Sequence, residues 1–263
     1  MITSRRNQKI KQIQKLNAGS KHRSQAGLFP AEGIRTLEEA QQSAIKPEWV
    51  LFTEDLDQRA SRLLENYRAE GIPCETVTPE VMEAASDTRT PQGVLGVFSL
   101  ISLPLPPSPN LLVIVDTMRD PGNLGTLMRT SLAAHADGLL LSPGSVDPFS
   151  PKVVRSALGA HFKLPVHTLS WSEIAALTQD LTLLLADMDQ GDSLWETDLT
   201  GRVGIILGNE AHGPGTEARA LRSRSVHIPI SSSIESLNTA VAGAVLLFEI
   251  NRQRKNTPSQ TSP

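Results

Sequence analysis

Leu111-Leu-Val-Ile-Val115 is an apolar run that is followed by Asp116 and by Pro121-Gly-Asn-Leu-Gly-Thr-Leu-Met-Arg-Thr130. A continuous apolar run of this length is typical of a strand that is buried on both faces, as in a parallel sheet. The Pro-Gly-Asn turn predicts a helix from about Leu124 to Ala134. A buried strand that leads directly into a helix is the repeating unit of α/β folds.

The same alternation continues toward the end of the chain. The sequence predicts strands at 138–141, near Val166, at 181–186, at 203–207 and at 226–230, and helices at 151–158, near Trp171 and at 237–252. This order predicts a mostly parallel sheet with helices on both faces. In such sheets ligands bind beyond the carboxyl ends of the strands.

A proline-rich stretch, Pro104-Leu-Pro-Pro-Ser-Pro109, divides the chain. Prolines remove backbone donors and hold the chain extended, so we expect a linker over 102–110. Residues 1–101 predict a small α/β domain, with helices at 6–16, 35–44 and 58–69 and strands at 27–32, 49–53, 75–77 and 93–98. We expect the second domain to cover 111–255 and the polar residues 256–263 to form a disordered tail.

Composition excludes several classes of protein. Hydrophobic residues make up 39% of the 263 residues and charged residues 20%, which is typical of a globular protein. No apolar run is long enough to span a bilayer, and no apolar segment follows the first cations as in a secretory signal, so we expect the cytoplasm. The single cysteine, Cys74, excludes an internal disulfide framework. The six histidines lack zinc-ligand spacing, so we expect no metal.

The net charge of −3 hides a strong asymmetry. No acidic residue precedes Glu32, whereas seven cations do: Arg5, Arg6, Lys9, Lys11, Lys15, Lys21 and Arg23. Such clustering is typical of a surface that contacts a phosphate backbone. The alternative is a solvated helix face. We expect contacts to RNA from Arg5, Arg6, Lys9, Lys21 and Arg23.

Two more polar stretches follow strands, namely Gly208-Asn-Glu-Ala-His-Gly213 and Ile228-Pro-Ile230 with Ser236-Leu-Asn238. Together with 123–130 they resemble, in order and content, the three signature motifs of the SpoU/TrmH family of the SPOUT superfamily. The resemblance implies transfer of a methyl group from S-adenosyl-L-methionine to a ribose 2′-hydroxyl of RNA. It also implies an α/β-knot (deep trefoil) catalytic domain after a small α/β RNA-binding domain, and a homodimer whose active sites form across both chains.

The resemblance assigns roles to individual residues. The catalytic set that it implies is Arg129, Asn123, Glu210, Ser236 and Asn238, and the set that holds the methyl donor is Gly208, Asn209, Ile228 and Leu237. Two segments depart from the usual motifs, Ala211-His-Gly-Pro-Gly215 and Ser231-Ser-Ser233. Both departures affect the loops around the donor more than the chemistry.

Each assignment has a structural alternative. Asn123, Ser236 and Asn238 are good helix caps, and Glu210 could be a first-turn acid that the helix dipole favours. Arg129 could be an ordinary surface residue. These alternatives must all hold together to replace the functional interpretation. Arginine is a poor base at neutral pH, so we expect Arg129 chiefly to orient the ribose and grip a phosphate, while a phosphate or water helps to remove the proton. The alternative is that Arg129 itself acts as the base.

The family's small domain is similar to the opening Lys21-His-Arg23, Gly27-Leu-Phe29 and Glu32-Gly33. This similarity favours 23S rRNA as the substrate, with tRNA as the alternative. A non-catalytic RNA-binding protein with this fold, or a transferase for small molecules, remains a rival from a different class.

Overall fold

The structure is a computed structural model and describes residues 1–188, 190–209 and 212–256. The chain forms two compact units. The first contains 1–101 together with 147–163, and the second contains 102–146 together with the chain from Leu164 onward.

The elements alternate along the chain. The first nine are α1 (Gln8–Ala18), α2 (Ser20–Ala26), β1 (Leu28–Glu32), α3 (Ile34–Gln42), β2 (Trp49–Phe52), α4 (Gln58–Ala69), β3 (Cys74–Thr76), α5 (Pro79–Ala85) and β4 (Val94–Ser99). They are followed by β5 (Leu111–Val115), α6 (Pro121–Ala133), β6 (Gly138–Leu141), α7 (Pro151–Ala157), β7 (Val166–Thr168), α8 (Trp171–Thr178), β8 (Thr182–Ala186), β9 (Asp192–Ser193), β10 (Val203–Leu207), α9 (Thr216–Leu221), β11 (Arg224–His227) and α10 (Thr239–Asn256).

The first unit is built on a sheet with the order β1-β4-β2-β3. The segment 147–163 belongs to this unit because its aromatic side chains pack in the same core. Phe149 lies 4.9 Å from Phe29 and Phe162 lies 5.1 Å from Phe98 between ring centroids. Aromatic pairs at such distances add to the stability that burial alone provides.

Arg23 anchors this segment and does not face solvent. The residue is 4% exposed, and its Nε and Nη2 donate to Asp147 Oδ2 at 2.9 and 2.6 Å. Its Nη1 also donates to the carbonyl of Leu16. Release of this guanidinium would leave the Asp147 carboxylate without its cation, so Arg23 is not free to bind a phosphate. The expectation that Arg23 contacts RNA is therefore wrong, because a count of charges does not reveal a distant partner.

The second unit contains a parallel sheet with the order β7-β6-β5-β10-β8-β11-β9 within the described residues. Its centre is the pairing of β5 with β10, in which Leu111 lies opposite Val203 and Val115 opposite Leu207. Both strands are fully buried, as their apolar sequences predict. The loops that follow β5 and β10 therefore leave the sheet side by side at its carboxyl edge.

Helices α6 and α10 pack closely against each other beside this sheet. A Cβ at Gly243 of α10 would lie 2.7 Å from Leu127 Cδ1 and 2.9 Å from Leu207 Cδ1. The absence of a side chain at Gly243 thus allows α10 to approach both α6 and β10. At the other end of the contact, Asn251 Nδ2 donates to the carbonyl of Ala134 at 2.9 Å and satisfies a group at the end of α6.

Some predicted boundaries differ from the structure. Strand β11 ends at His227, so 228–230 lies outside it, where Pro229 has no amide to donate to a neighbouring strand. Helix α10 runs to Asn256, which the sequence placed in the tail. The rest of the predicted tail, 257–263, lies outside the described residues. Among the helices that the structure describes, none is both long and apolar enough to cross a membrane.

Candidate functional site

A cleft of about 550 Å³ opens at the carboxyl edge of the parallel sheet. It is lined by residues that follow β8, β10 and β11 and by the first turns of α10. All four residues that the sequence assigns to the methyl donor line this cleft, as does one predicted catalytic residue: Gly208, Asn209, Ile228, Leu237 and Ser236. Its volume lies within the range of small-molecule sites, about 300–1,000 Å³.

In the wall of this cleft, Gly208 packs closely against the backbone of Gly213 and Pro214. A Cβ at this position would lie 2.4 Å from the backbone nitrogen of Pro214 and 2.7 Å from the carbonyl carbon of Gly213. Both atoms belong to the backbone, so a side chain would displace the loop. The loop turns back because Asn209 and Gly213 exchange two backbone hydrogen bonds of 3.0 and 2.9 Å. Gly213 has a φ of +66°, a conformation that favours glycine.

The side chain of Asn209 joins the loops that follow β5 and β10. Its Nδ2 donates to the carbonyl of Thr117 at 2.7 Å, and its Oδ1 accepts from the amide of His212 at 3.1 Å. Two loops that are distant in the sequence are thereby held together at the cleft.

The first and third motifs also meet. Asn238 Nδ2 donates to Asn123 Oδ1 at 2.9 Å. Asn238 Oδ1 accepts from the amides of Ala240 and Val241 at 3.0 and 3.3 Å, so this residue caps α10 and contacts the first motif at the same time. Asn123 is not the cap of α6, because Asp120 Oδ1 accepts the amide of Asn123 at 2.8 Å and holds that position.

The third-motif segment forms the exposed rim of the cleft. Ser236 is exposed, and Ile228 and Leu237 are half-buried. The serines 231–233, which stand where the usual motif has a glycine, are exposed too, and Ser231 Oγ lies 2.8 Å from Ser233 Oγ. These serines therefore sit in solvent on a rim.

An ion pair that the sequence analysis missed lies in the wall of the cleft. Arg219 Nη1 donates to Asp187 Oδ2 at 2.8 Å, and the Asp187 side chain is only 9% exposed. The sequence could have indicated Asp187, because this residue directly follows β8 at the edge of the sheet where ligands bind.

Three predicted catalytic residues that the structure describes do not line the cleft, namely Asn123, Arg129 and Asn238. Arg129 is exposed on α6. It makes no hydrogen bond or ion pair with any residue that the structure describes. Glu210 lies outside the described residues. Among those that are described, no group of three or more His, Cys, Asp or Glu side chains could hold a metal ion.

The predicted RNA contacts in the first unit differ in accessibility. Arg6 and Lys21 are exposed, and Arg5 is exposed with a long 3.9 Å ion pair to Glu83. Lys9 is half-buried and contacts side chains of its own unit.

Two groups hold the Lys9 ammonium. It pairs with the Glu75 carboxylate, and it lies 4.9 Å from the centre of the Trp49 ring. A phosphate would have to compete with both of these groups for Lys9.

The chain is similar to known proteins over both units. The SpoU rRNA Methylase family matches residues 110–248, and a domain described as an MRM3-like substrate binding domain matches 7–96. The 23S rRNA (guanosine(2553)-2′-O)-methyltransferase RlmP of Bacillus subtilis is 32% identical, with 95% of this chain and 98% of that protein covered. The 23S rRNA (uridine(2479)-2′-O)-methyltransferase of Streptomyces viridochromogenes is 30% identical, with 100% and 95% covered.

Solved structures agree with the sequence matches. The AdoMet-bound rRNA methyltransferase from Sinorhizobium meliloti superposes with a TM-score of 0.85 at 28% identity, covering 95% of this chain and 97% of that one. The predicted family and the predicted fold class, a SPOUT α/β catalytic domain after a small substrate-binding domain, are both confirmed. The chain belongs to the SpoU rRNA methylase family.

Proposed function

We propose that this protein transfers a methyl group from S-adenosyl-L-methionine to a ribose 2′-hydroxyl of 23S rRNA in the cytoplasm. The observation that carries the proposal is the cleft in which the second and third motif segments meet, at the ligand-binding edge of the parallel sheet. Relatives that cover nearly the whole chain are named as 23S rRNA 2′-O-methyltransferases.

The residues of the cleft fit the methyl donor. Gly208 has no side chain, which lets the backbone of Gly213 and Pro214 pack directly against it, and all three residues line the cleft. Asn209, Ile228 and Leu237 also line the cleft. When bound, the donor supplies a methyl group on a positively charged sulfur, ready for attack by an oxygen.

Arg129 is the residue that acts on the ribose. Its guanidinium carries a fixed positive charge, and the planar group binds a phosphate through two parallel hydrogen bonds. Such a grip orients the neighbouring 2′-hydroxyl for in-line attack, and orientation alone supplies much of the rate of a reaction of this kind. The hydroxyl proton leaves to a phosphate oxygen or to water.

A second copy of the chain completes the site. Arg129 is exposed and does not line the cleft of its own chain, although the proposed chemistry needs it beside the donor. Helix α10, which packs against the helix that carries Arg129, exposes Val241 and Phe248 at 49% and 52%. These residues are seven apart and share one face of the helix, which suits burial against a like surface. We therefore propose a homodimer in which Arg129 of one chain serves the cleft of the other.

The first unit holds the RNA. Its exposed cations, among them Arg5, Arg6 and Lys21, provide a basic surface despite the negative net charge. Lys9 contributes only if phosphate displaces Glu75. A non-catalytic RNA-binding role is less favoured, because such a role would not require the donor cleft or the joined Asn123–Asn238 pair.

We expect donor binding to depend on the absence of a side chain at Gly208, because the backbone of Gly213 and Pro214 packs against this residue. Gly208→Val should weaken S-adenosyl-L-methionine binding by at least about 10-fold, because the new side chain meets backbone atoms that must shift. Isothermal titration calorimetry measures the change. The matched control is Gly201→Val, where a Cβ meets nothing within 4 Å. Wild-type affinity in Gly208→Val would remove this cleft as the donor site.

Methyl transfer depends on the planar charge of Arg129. Arg129→Ala should lower the single-turnover rate by at least about 100-fold and leave donor affinity unchanged, because the residue acts on the ribose. Arg129→Lys should restore less than about a tenth of the rate, since lysine is a point charge. Arg224→Ala, at an exposed arginine that begins β11 in the second unit and does not line the cleft, controls for loss of charge. Partial rescue by lysine with a shifted pH profile would instead indicate that proton removal dominates.

Subunit complementation tests the shared site. Arg129→Ala and Gly208→Val chains, each strongly impaired alone at a donor concentration well below the wild-type dissociation constant, are mixed, unfolded together and refolded together. A mixed dimer then holds one intact cleft served by one intact Arg129, so activity should return to about a quarter of wild type. Phe248→Glu in both chains should abolish this rescue and give a monomer in light scattering. Mixed dimers without activity would contradict transfer across the interface.

A further inference from the structure

Asp116 is a buried carboxylate that the proposed chemistry does not use. It directly follows β5 and is only 5% exposed. A buried carboxylate is costly unless hydrogen bonds satisfy it, so its partners indicate its role. Its Oδ2 accepts from the amide of Gly215 at 2.7 Å, and its Oδ1 accepts from Thr117 Oγ1 at 2.9 Å.

These partners lie in different loops. Gly215 is the last residue of the loop that begins at Gly208, and several other residues of this loop line the cleft. Thr117 lies in the loop that leads from β5 into α6. Ser142, at the end of β6, joins them, because its Oγ accepts the amide of Thr117 at 2.9 Å and lies 3.4 Å from Asp116 Oδ1. One carboxylate thus connects the carboxyl ends of three strands.

The network holds Thr117 in an uncommon conformation. Thr117 has a φ of +54°, which is unusual for a residue other than glycine and persists only where the surroundings enforce it. In this conformation the Thr117 carbonyl accepts from Asn209 Nδ2 at 2.7 Å. Asp116 therefore reaches the wall of the cleft by two routes, directly through Gly215 and indirectly through Thr117 and Asn209.

We propose that Asp116 is a positioning residue that fixes residues 212–215 beside Gly208, in the arrangement that binds the methyl donor. The inference rests on the proposed function and adds a residue that does not touch the donor. It assigns the role to hydrogen-bond geometry, since both oxygens of Asp116 accept from named donors.

The same strand offers a matched control. Asp137 is a second carboxylate that accepts backbone amides beside β5, but at the amino end, away from the cleft. Its Oδ2 accepts from Asn110 and Leu111 at 2.6 and 2.9 Å. Removal of either carboxylate leaves backbone donors without a partner, so both variants should lose stability. Only the loss of Asp116 should alter the donor site.

The experiment compares the full-length variants Asp116→Ala, Asp116→Asn and Asp137→Ala. Calorimetry with S-adenosyl-L-methionine should give a dissociation constant raised about 10-fold by Asp116→Ala and within about twofold of wild type for Asp137→Ala. Asp116→Asn should stay within about threefold, because its amide oxygen still accepts from Gly215 and its amide group donates to the Thr117 hydroxyl. In methylation assays the loss should appear in the KM for the donor, with kcat nearly retained.

Hydrogen exchange gives a readout that does not depend on the donor. Amides in peptides that cover 208–221 should exchange at least about 10-fold faster in Asp116→Ala than in Asp137→Ala. Wild-type donor affinity in Asp116→Ala, or equal losses in Asp116→Ala and Asp137→Ala, would overturn the positioning role. If the unsubstituted protein binds no donor, the proposed function fails and the positioning role fails with it, whatever the exchange rates.

Discussion

The pairing of β5 with β10 is the constraint on which the site depends. The two strands are about ninety residues apart in sequence, yet they lie in register from Leu111 opposite Val203 to Val115 opposite Leu207. Parallel strands in register end at the same edge, so the loops after them are forced together. The contact of Asn209 with the Thr117 carbonyl is possible only because of this pairing. The strand pairing that stabilises the sheet therefore also sets the geometry of the cleft.

A second contact brings in the third motif. The glycine at 243 lets α10 lie close to α6 and β10, and this packing sets the start of α10 beside the start of α6. The Asn238–Asn123 hydrogen bond is the local result. The cleft therefore has one wall fixed by the sheet and a rim fixed by helix packing. The exposed face of α10 and the exposed Arg129 remain for a second chain, which is why we propose that the dimer and the active site are one unit.

The sequence predicted what local patterns determine. The apolar runs of β5 and β10 and the helix α4 have the bounds that were predicted, because burial on both faces and a helical stripe both leave clear patterns. Helices α2, α5 and α9, each seven residues or shorter, were not predicted, because one or two turns contain too few apolar positions to define a helical period; α7, which is equally short, was predicted. The order of the strands depends on distant contacts and could not be read locally.

The site was predictable where its residues belong to the motifs and not elsewhere. Gly208, Asn209, Ile228, Leu237 and Ser236 share one cleft, as the resemblance implies. Asp116 and the Asp187–Arg219 pair were missed because their roles come from partners that only folding supplies. Arg23 shows the opposite error, since its partner Asp147 lies 124 residues away and turns a predicted RNA contact into a structural ion pair.

The most direct test of the account is the identity of the methylated atom. The purified protein is incubated with donor carrying a labelled methyl group and with unmodified 23S rRNA, and the RNA is then digested to nucleosides and analysed by mass spectrometry. We expect label in a 2′-O-methylated nucleoside of the 23S rRNA and none in tRNA treated in the same way. Label on a base, or no transfer to RNA by a protein that binds the donor, would contradict it.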